Sequence, residues 1–137
     1  MKLSVKVEYA CRVLVQMARL QPSGALAHIG GLAEAEGVPP NYLVQILSDL
    51  READLILSRR GKQGGYALAQ PPEKITLLRI VRAVDGEFLG FGEVPPGESG
   101  PVVRKLWEDL RAEFEERARL ITLDQLVPRP ADTMYFI

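Results

Sequence analysis

Apolar residues return at every third or fourth position through most of this chain, so its elements are chiefly helices. Residues 4–20 hold no glycine or proline, and Ala10, Leu14, Met17 and Ala18 share one helical face; "QPSG" ends that helix. "HIGGLAEAEG" offers Ile29, Leu32 and Ala33 as a second apolar face, with Gly37 as its stop. Gly30 and Gly31 each weaken this helix by roughly 1 kcal/mol relative to alanine, so its neighbours must hold it. In "VPPNYLVQILSDLREADL" the spacing of Leu43, Ile46, Leu47 and Leu50 predicts a third helix, entered through Pro39 and Pro40. The second and third helices, joined by "EGVPP", form a helix-turn-helix candidate.

The periodicity then changes. Residues 55–60 and 66–69 are short β-prone runs joined by Gly61 to Gly65, the pattern of a hairpin. Thr76 can cap a fourth helix running to Val84, with Leu77, Ile80, Val81 and Val84 inward. Residues 85–101, "DGEFLGFGEVPPGESGP", read as a loop, in which Phe88, Leu89, Phe91 and Val94 are expected to pack in part. Pro101 opens a long helix whose Val103, Trp107, Leu110, Phe114 and Ile121 form a narrow stripe close to a coiled-coil seam. Thr122 and Gln125 have capping-box spacing for a brief final turn. The expected fold is mainly α with a small β-hairpin: a winged helix-turn-helix over residues 1–85, a loop over 86–100, and a dimerisation helix and tail over 101–137.

Length and composition suit one soluble core, since the chain has 137 residues, 47% of them hydrophobic and 26% charged. No apolar run approaches the ~18 residues of a membrane span, and the start lacks the pattern of a signal peptide; a cytoplasmic location is expected. Cys11, the one cysteine, cannot form an internal disulfide. The net charge of −1 divides unevenly: residues 1–85 carry 11 basic and 8 acidic side chains, residues 86–137 carry 6 and 10. A mildly basic front portion is a weak pointer to nucleic acid.

"SRRGKQGGYALA" raises the question of a phosphate loop. A P-loop needs G-x-x-x-x-G-K-[ST] between a strand and a helix; here Lys62 precedes the second glycine pair, no hydroxyl residue follows it, and the chain continues as a strand. The glycines instead form a hairpin tip that leaves Arg59, Arg60 and Lys62 on its rim, suited to the DNA backbone or a minor groove; a plain surface hairpin is the bland alternative. On the third helix, Asn41, Tyr42 and Gln45 occupy the N-terminal half without charge, and Asp49 and Glu52 follow. Amide side chains can read an adenine edge, while acids repel phosphates, so the N-terminal half would enter a major groove.

"MKLSVKVEYACRVLVQMA", "YLVQILSDLREADLI", "RGKQGGYALA", "PPEKITLLRIVRAVDG", "LWEDL" and "ITLDQL" together resemble the bacterial Rrf2 family of transcriptional regulators, over nearly the whole chain. That family includes the iron–sulfur cluster regulator, nitric-oxide-sensing repressors and a cysteine-metabolism repressor. The resemblance implies a homodimer on a pseudo-palindromic double-stranded DNA operator, with the long helix as dimer seam. It also implies DNA contacts by Asn41, Tyr42, Gln45 and Arg60. The family's usual glycine between recognition helix and wing is replaced by Asp54, which tolerates the left-handed conformation. Many members ligate a cluster with cysteines before and within the first turn of the long helix, but residues 85–107 contain none, and Pro101 and Arg104 stand where ligands would fall. No cluster and no other cofactor or metal is expected.

Cys11 reads as a small buried apolar residue, with a thiol sensor as its alternative. Glu8 reads as a surface or dimer-contact charge, His28 as a surface polar group and Trp107 as part of the seam. The apolar ending of "RPADTMYFI" is a candidate to dock in a groove of the dimer. Against the reading as a DNA-binding repressor stand a regulator of the same fold that works through a protein partner, such as an enzyme, and a redox sensor through Cys11. Nothing resembles a catalytic constellation, so an enzyme is not expected.

Overall fold

Helix α1 (Val5–Leu20) is the centre around which the chain folds, in a computed structural model that describes residues 2–128. Val7, Ala10, Val13, Leu14, Met17 and Ala18 form its buried stripe. The Ser23 hydroxyl ends it by donating to the Leu20 carbonyl at 2.7 Å and accepting from the Ala25 amide at 3.2 Å. Helix α2 (Ile29–Glu36) buries Leu32 and stops at Gly37, whose φ of +64° is the left-handed cap that glycine adopts without strain. Helix α3 (Pro40–Glu52) begins with Pro39 extended and Pro40 in the first turn, and it buries Leu43, Ile46, Leu47 and Leu50 as the periodicity predicts.

The turn out of α3 passes through Asp54 at φ +59°, the left-handed geometry expected for the residue that replaces glycine. Gln70 donates from Nε2 to the Asp54 carbonyl at 3.0 Å, and Arg79 in turn donates to Gln70 Oε1 at 2.8 Å. Strands β1 (Ile56–Arg59) and β2 (Gly65–Leu68) then pair antiparallel, from Ile56 opposite Leu68 to Arg59 opposite Gly65. Ala27 exchanges two backbone hydrogen bonds of 2.8 Å with Tyr66, which ties the α1–α2 connection to the hairpin. Sequence pattern could not announce this bridge, because one residue has no period.

Helix α4 (Leu77–Val84) starts at Thr76, whose hydroxyl accepts from the Arg79 amide at 3.2 Å, the cap that its position predicts. Its buried face holds Leu78 with Ile80, Val81 and Val84, and Leu77 is only half-buried. The irregular segment that follows packs in part, as expected: Phe88, Leu89 and Phe91 are half-buried, while Val94 stands 72% exposed. Its neighbours Pro95 and Pro96 are exposed as well, on the open side of the segment.

Helix α5 (Gly100–Leu120) is almost wholly exposed, with only Ala118 buried. Ile121, expected within it, is the extended residue just after it. There the chain returns to the body: Leu77 N–H donates to Ile121 O at 2.9 Å, Leu123 N–H donates to Ile75 O at 2.8 Å, and Leu123 is fully buried in the core built by α1–α4. The capping box does not form. The Thr122 hydroxyl bonds the Asp124 carboxylate, and Gln125 reaches back to the Leu120 carbonyl at 3.4 Å. The Asp124 carboxylate is a strong charged acceptor and takes the Thr122 hydroxyl proton, and no cap bond from the Thr122 side chain forms. The apolar ending expected to dock lies outside the described residues.

Candidate nucleic-acid interface

On α3 the apolar stripe faces the core, so the intervening positions Asn41, Tyr42, Val44 and Gln45 are exposed together near the helix start. Their setting is supplied by α1. Tyr9 meets the Tyr42 ring edge-on, with centroids 5.7 Å apart and planes at 76°. Arg12, which pairs with Glu8 at 2.7 Å, lies 6.0 Å from the Tyr9 ring and donates to the Glu36 carbonyl at 3.3 Å. Glu8 is thereby a surface charge partnered on its own helix. Tyr42, although 43% exposed, is held by its contact with Tyr9 and has less rotamer freedom to lose on binding.

Farther along α3, Asp49 does not confront the outer face as a bare acid. Its Oδ2 accepts from Lys6 Nζ of α1 at 3.0 Å, and its Oδ1 accepts from Gln45 Nε2 at 2.9 Å. The negative charge that could repel a phosphate is therefore paired and turned toward α1. Glu52, in the last turn, is exposed.

The hairpin tip places Arg59, Arg60 and Lys62 in solvent; among the described residues none of the three belongs to an ion pair. Two glycines there are required by space. A Cβ on Gly64 would lie 2.3 Å from the Arg59 carbonyl oxygen, and one on Gly65 would lie 2.7 Å from that of Ala27. Beneath the hairpin a groove of about 490 Å³ runs past Met17 and Leu20, with Arg59, Arg60 and Lys62 on its wall. The fold thus sets an uncharged helix face and a basic arm on elements braced against the same first helix.

Helix α5 carries the second surface. Val103, Trp107 and Phe114 of the expected seam are exposed, Leu110 is half-buried, and Ile121 lies past the helix end. Val102 and Leu106, which the seam omitted, are exposed beside them at 75% and 52%. Their spacing of four to each other and to Leu110 was a legible signal of a broader stripe. Phe114 is also engaged within the chain, stacked on Phe88 at 6.0 Å. A contiguous apolar stripe of this kind marks an interaction surface.

The chain resembles known proteins over this whole architecture. The family model described as Rrf2, iron-dependent transcriptional regulator, matches residues 3–129. The HTH-type regulator CymR of Bacillus subtilis is 32% identical over 126 residues, covering 92% of this chain and 89% of that protein. The HTH-type regulator IscR of Cereibacter sphaeroides is 35% identical over 145 residues, covering 96% and 93%. Among solved structures, T. potens IscR superposes with a TM-score of 0.73 at 30% identity, covering 99% of this chain and 88% of that one.

Iron dependence would require ligands, and the residues present do not fit an iron–sulfur cluster. The segment before α5 and its first turns bound a cavity of about 600 Å³ lined by Leu89, Phe91, Val94, Pro101, Arg104 and Trp107, with no thiol among its lining residues. Two guanidiniums lie over the Phe91 ring, that of Arg104 at 4.9 Å and that of Arg111 at 4.2 Å from its centroid. Apolar and cationic side chains supply none of the thiolates that hold such a cluster. Among the described residues no group of three His, Cys, Asp or Glu side chains is placed to hold a metal. Cys11 sits on α1, and burial, aided by the Glu8 charge, pushes its thiol up to about 11. It is therefore protonated and weakly reactive near neutral pH.

Proposed function

This chain belongs to the Rrf2 family of transcriptional regulators, and on that premise we propose that it is a homodimeric, sequence-specific DNA-binding repressor. One observation carries the reading: Asn41, Tyr42 and Gln45 form an uncharged hydrogen-bonding face at the start of α3, the hairpin that follows carries the exposed cations Arg59, Arg60 and Lys62, which pair with no acid among the described residues, and Asp49 is neutralised by Lys6. The amides and phenol read base edges in a major groove, and the arm's cations lie on the phosphates or in the adjacent minor groove. The exposed stripe of α5, from Val102 to Phe114, joins two copies across a two-fold axis. The operator is accordingly pseudo-palindromic, with half-site centres separated by about one helical turn, roughly 10 base pairs, or a multiple of it. Bound dimers repress by occupying promoter DNA, without an iron–sulfur cluster and without catalysis. No helix among the described residues is long and apolar enough to cross a membrane, and the protein works where the chromosome is, in the cytoplasm.

The test is selection of bound sequences from a random duplex pool, followed by sedimentation of the complex. Recovery of an inverted repeat carrying one dimer is the expected result. Equal, weak affinity for every duplex, or a monomer at micromolar concentration, would overturn the reading. Transcript levels from the bound promoters in cells lacking the protein then test repression, which predicts that they rise.

A further inference from the structure

We propose that Asp49 is a positioning residue that commits Gln45 to reading adenine; this rests on α3 being the DNA-reading helix. A free glutamine amide is ambiguous, because it can turn either its oxygen or its NH₂ group outward. It can pair with adenine through one acceptor and one donor. It can also aim both N–H groups at the two acceptors, N7 and O6, of guanine. Here the ambiguity is removed. The Asp49 carboxylate offers only acceptors, so the Gln45 nitrogen must face it, and it does so at 2.9 Å. One of the two N–H groups is thereby consumed, leaving Oε1 and a single N–H for a base, which is the complement of adenine N6–H and N7.

The carboxylate is itself fixed. Its other oxygen accepts from Lys6 Nζ at 3.0 Å, and its side chain is 18% exposed, so it is held toward α1 and neutralised. The carboxylate accepts from both sides, from the Lys6 ammonium and from the Gln45 NH₂ group, and the lysine keeps it ionised and therefore acceptor-only. Replacing the carboxylate with an amide has a definite consequence. Lys6 would take the new carbonyl oxygen, the new NH₂ would face Gln45, and Gln45 would turn its own NH₂ outward toward guanine.

The experiment uses the full-length protein and fluorescence anisotropy on operators varied at the position that Gln45→Ala relaxes. Asp49→Ala is expected to reduce the adenine-over-guanine ratio there by about tenfold, with little change at other positions or in binding to random duplex. Asp49→Asn is expected to invert the preference toward guanine, an outcome that mere loss of a structural contact does not produce. If Gln45→Ala relaxes one position and Asp49→Ala leaves its ratio within about twofold of the original, this inference falls alone, since a lost bidentate contact should exceed that. If Gln45→Ala relaxes no position, the recognition reading of α3 falls and takes this inference with it.

Discussion

Removing one cation from the hairpin arm makes a quantitative test of how the arm meets DNA. Arg60 is exposed and, among the described residues, has no acid paired with it, so Arg60→Ala should leave the fold intact. In the proposed dimer two arms meet the DNA, so the substitution removes two cations from the complex. Each neutralised phosphate contributes about 0.9 to the slope of log affinity against log salt, so the slope should become shallower by about 1.8. Between about 50 and about 200 mM salt, a span of roughly 0.6 log units, the defect should shrink by about one log unit, or some tenfold. Anisotropy titrations of the selected operator at four salt concentrations would measure both slopes. A variant that loses affinity by the same factor at every salt concentration, its slope within about 0.3 of the original, would refute placement of Arg60 against the phosphate-lined grooves. Undiminished binding would refute any role for the arm.

Other substitutions probe the scaffold and the interface. Gly64→Ala drives a Cβ to 2.3 Å from the Arg59 carbonyl; because that atom is backbone, the hairpin tip must open, and operator affinity should fall while circular dichroism of the helices stays unchanged. Leu123→Ala should lower stability by about 2–5 kcal/mol, measured by urea titration at fixed protein concentration, because Leu123 is fully buried where α5 returns to the core. If the proposed dimer forms through the α5 stripe, Trp107→Glu places two charges in it and should weaken dimerisation by at least about a hundredfold in sedimentation equilibrium. The Cys11 thiol titrates near 11 in the fold against 9.0 for an ordinary thiol, so the folded state holds its proton more tightly than the unfolded one. The stability this provides is complete below pH 9 and is lost as pH rises from 9 toward 11; Cys11→Ala should flatten that decline.

Much of this architecture is legible in the chain because helices and hairpins are specified by neighbours in sequence. The periodic Leu43, Ile46, Leu47 and Leu50, the cap at Thr76, the stop at Gly37 and the left-handed Asp54 each depend on a few adjacent residues, and each forms where that local chemistry places it. The exposed polar face of α3 follows too, since naming the buried side of a helix also names the other side. Contacts between residues far apart have no such signature. Lys6 lies 43 positions from Asp49, so the neutralisation of that acid and the tether on Gln45 emerge only when α1 packs against α3. The same holds for Ala27 as a partner of Tyr66 and for Leu123 as a core residue of the DNA-binding body. At the final turn local pattern misled: Thr122 and Gln125 have the spacing of a capping box, but the Thr122 hydroxyl donates to Asp124 and the Gln125 side chain reaches the Leu120 carbonyl. Sequence determined which elements exist and which faces they offer, because those depend on short-range periodicity and backbone preference; tertiary structure decided which charges are cancelled and which side chains are held in one orientation, because those depend on which elements meet.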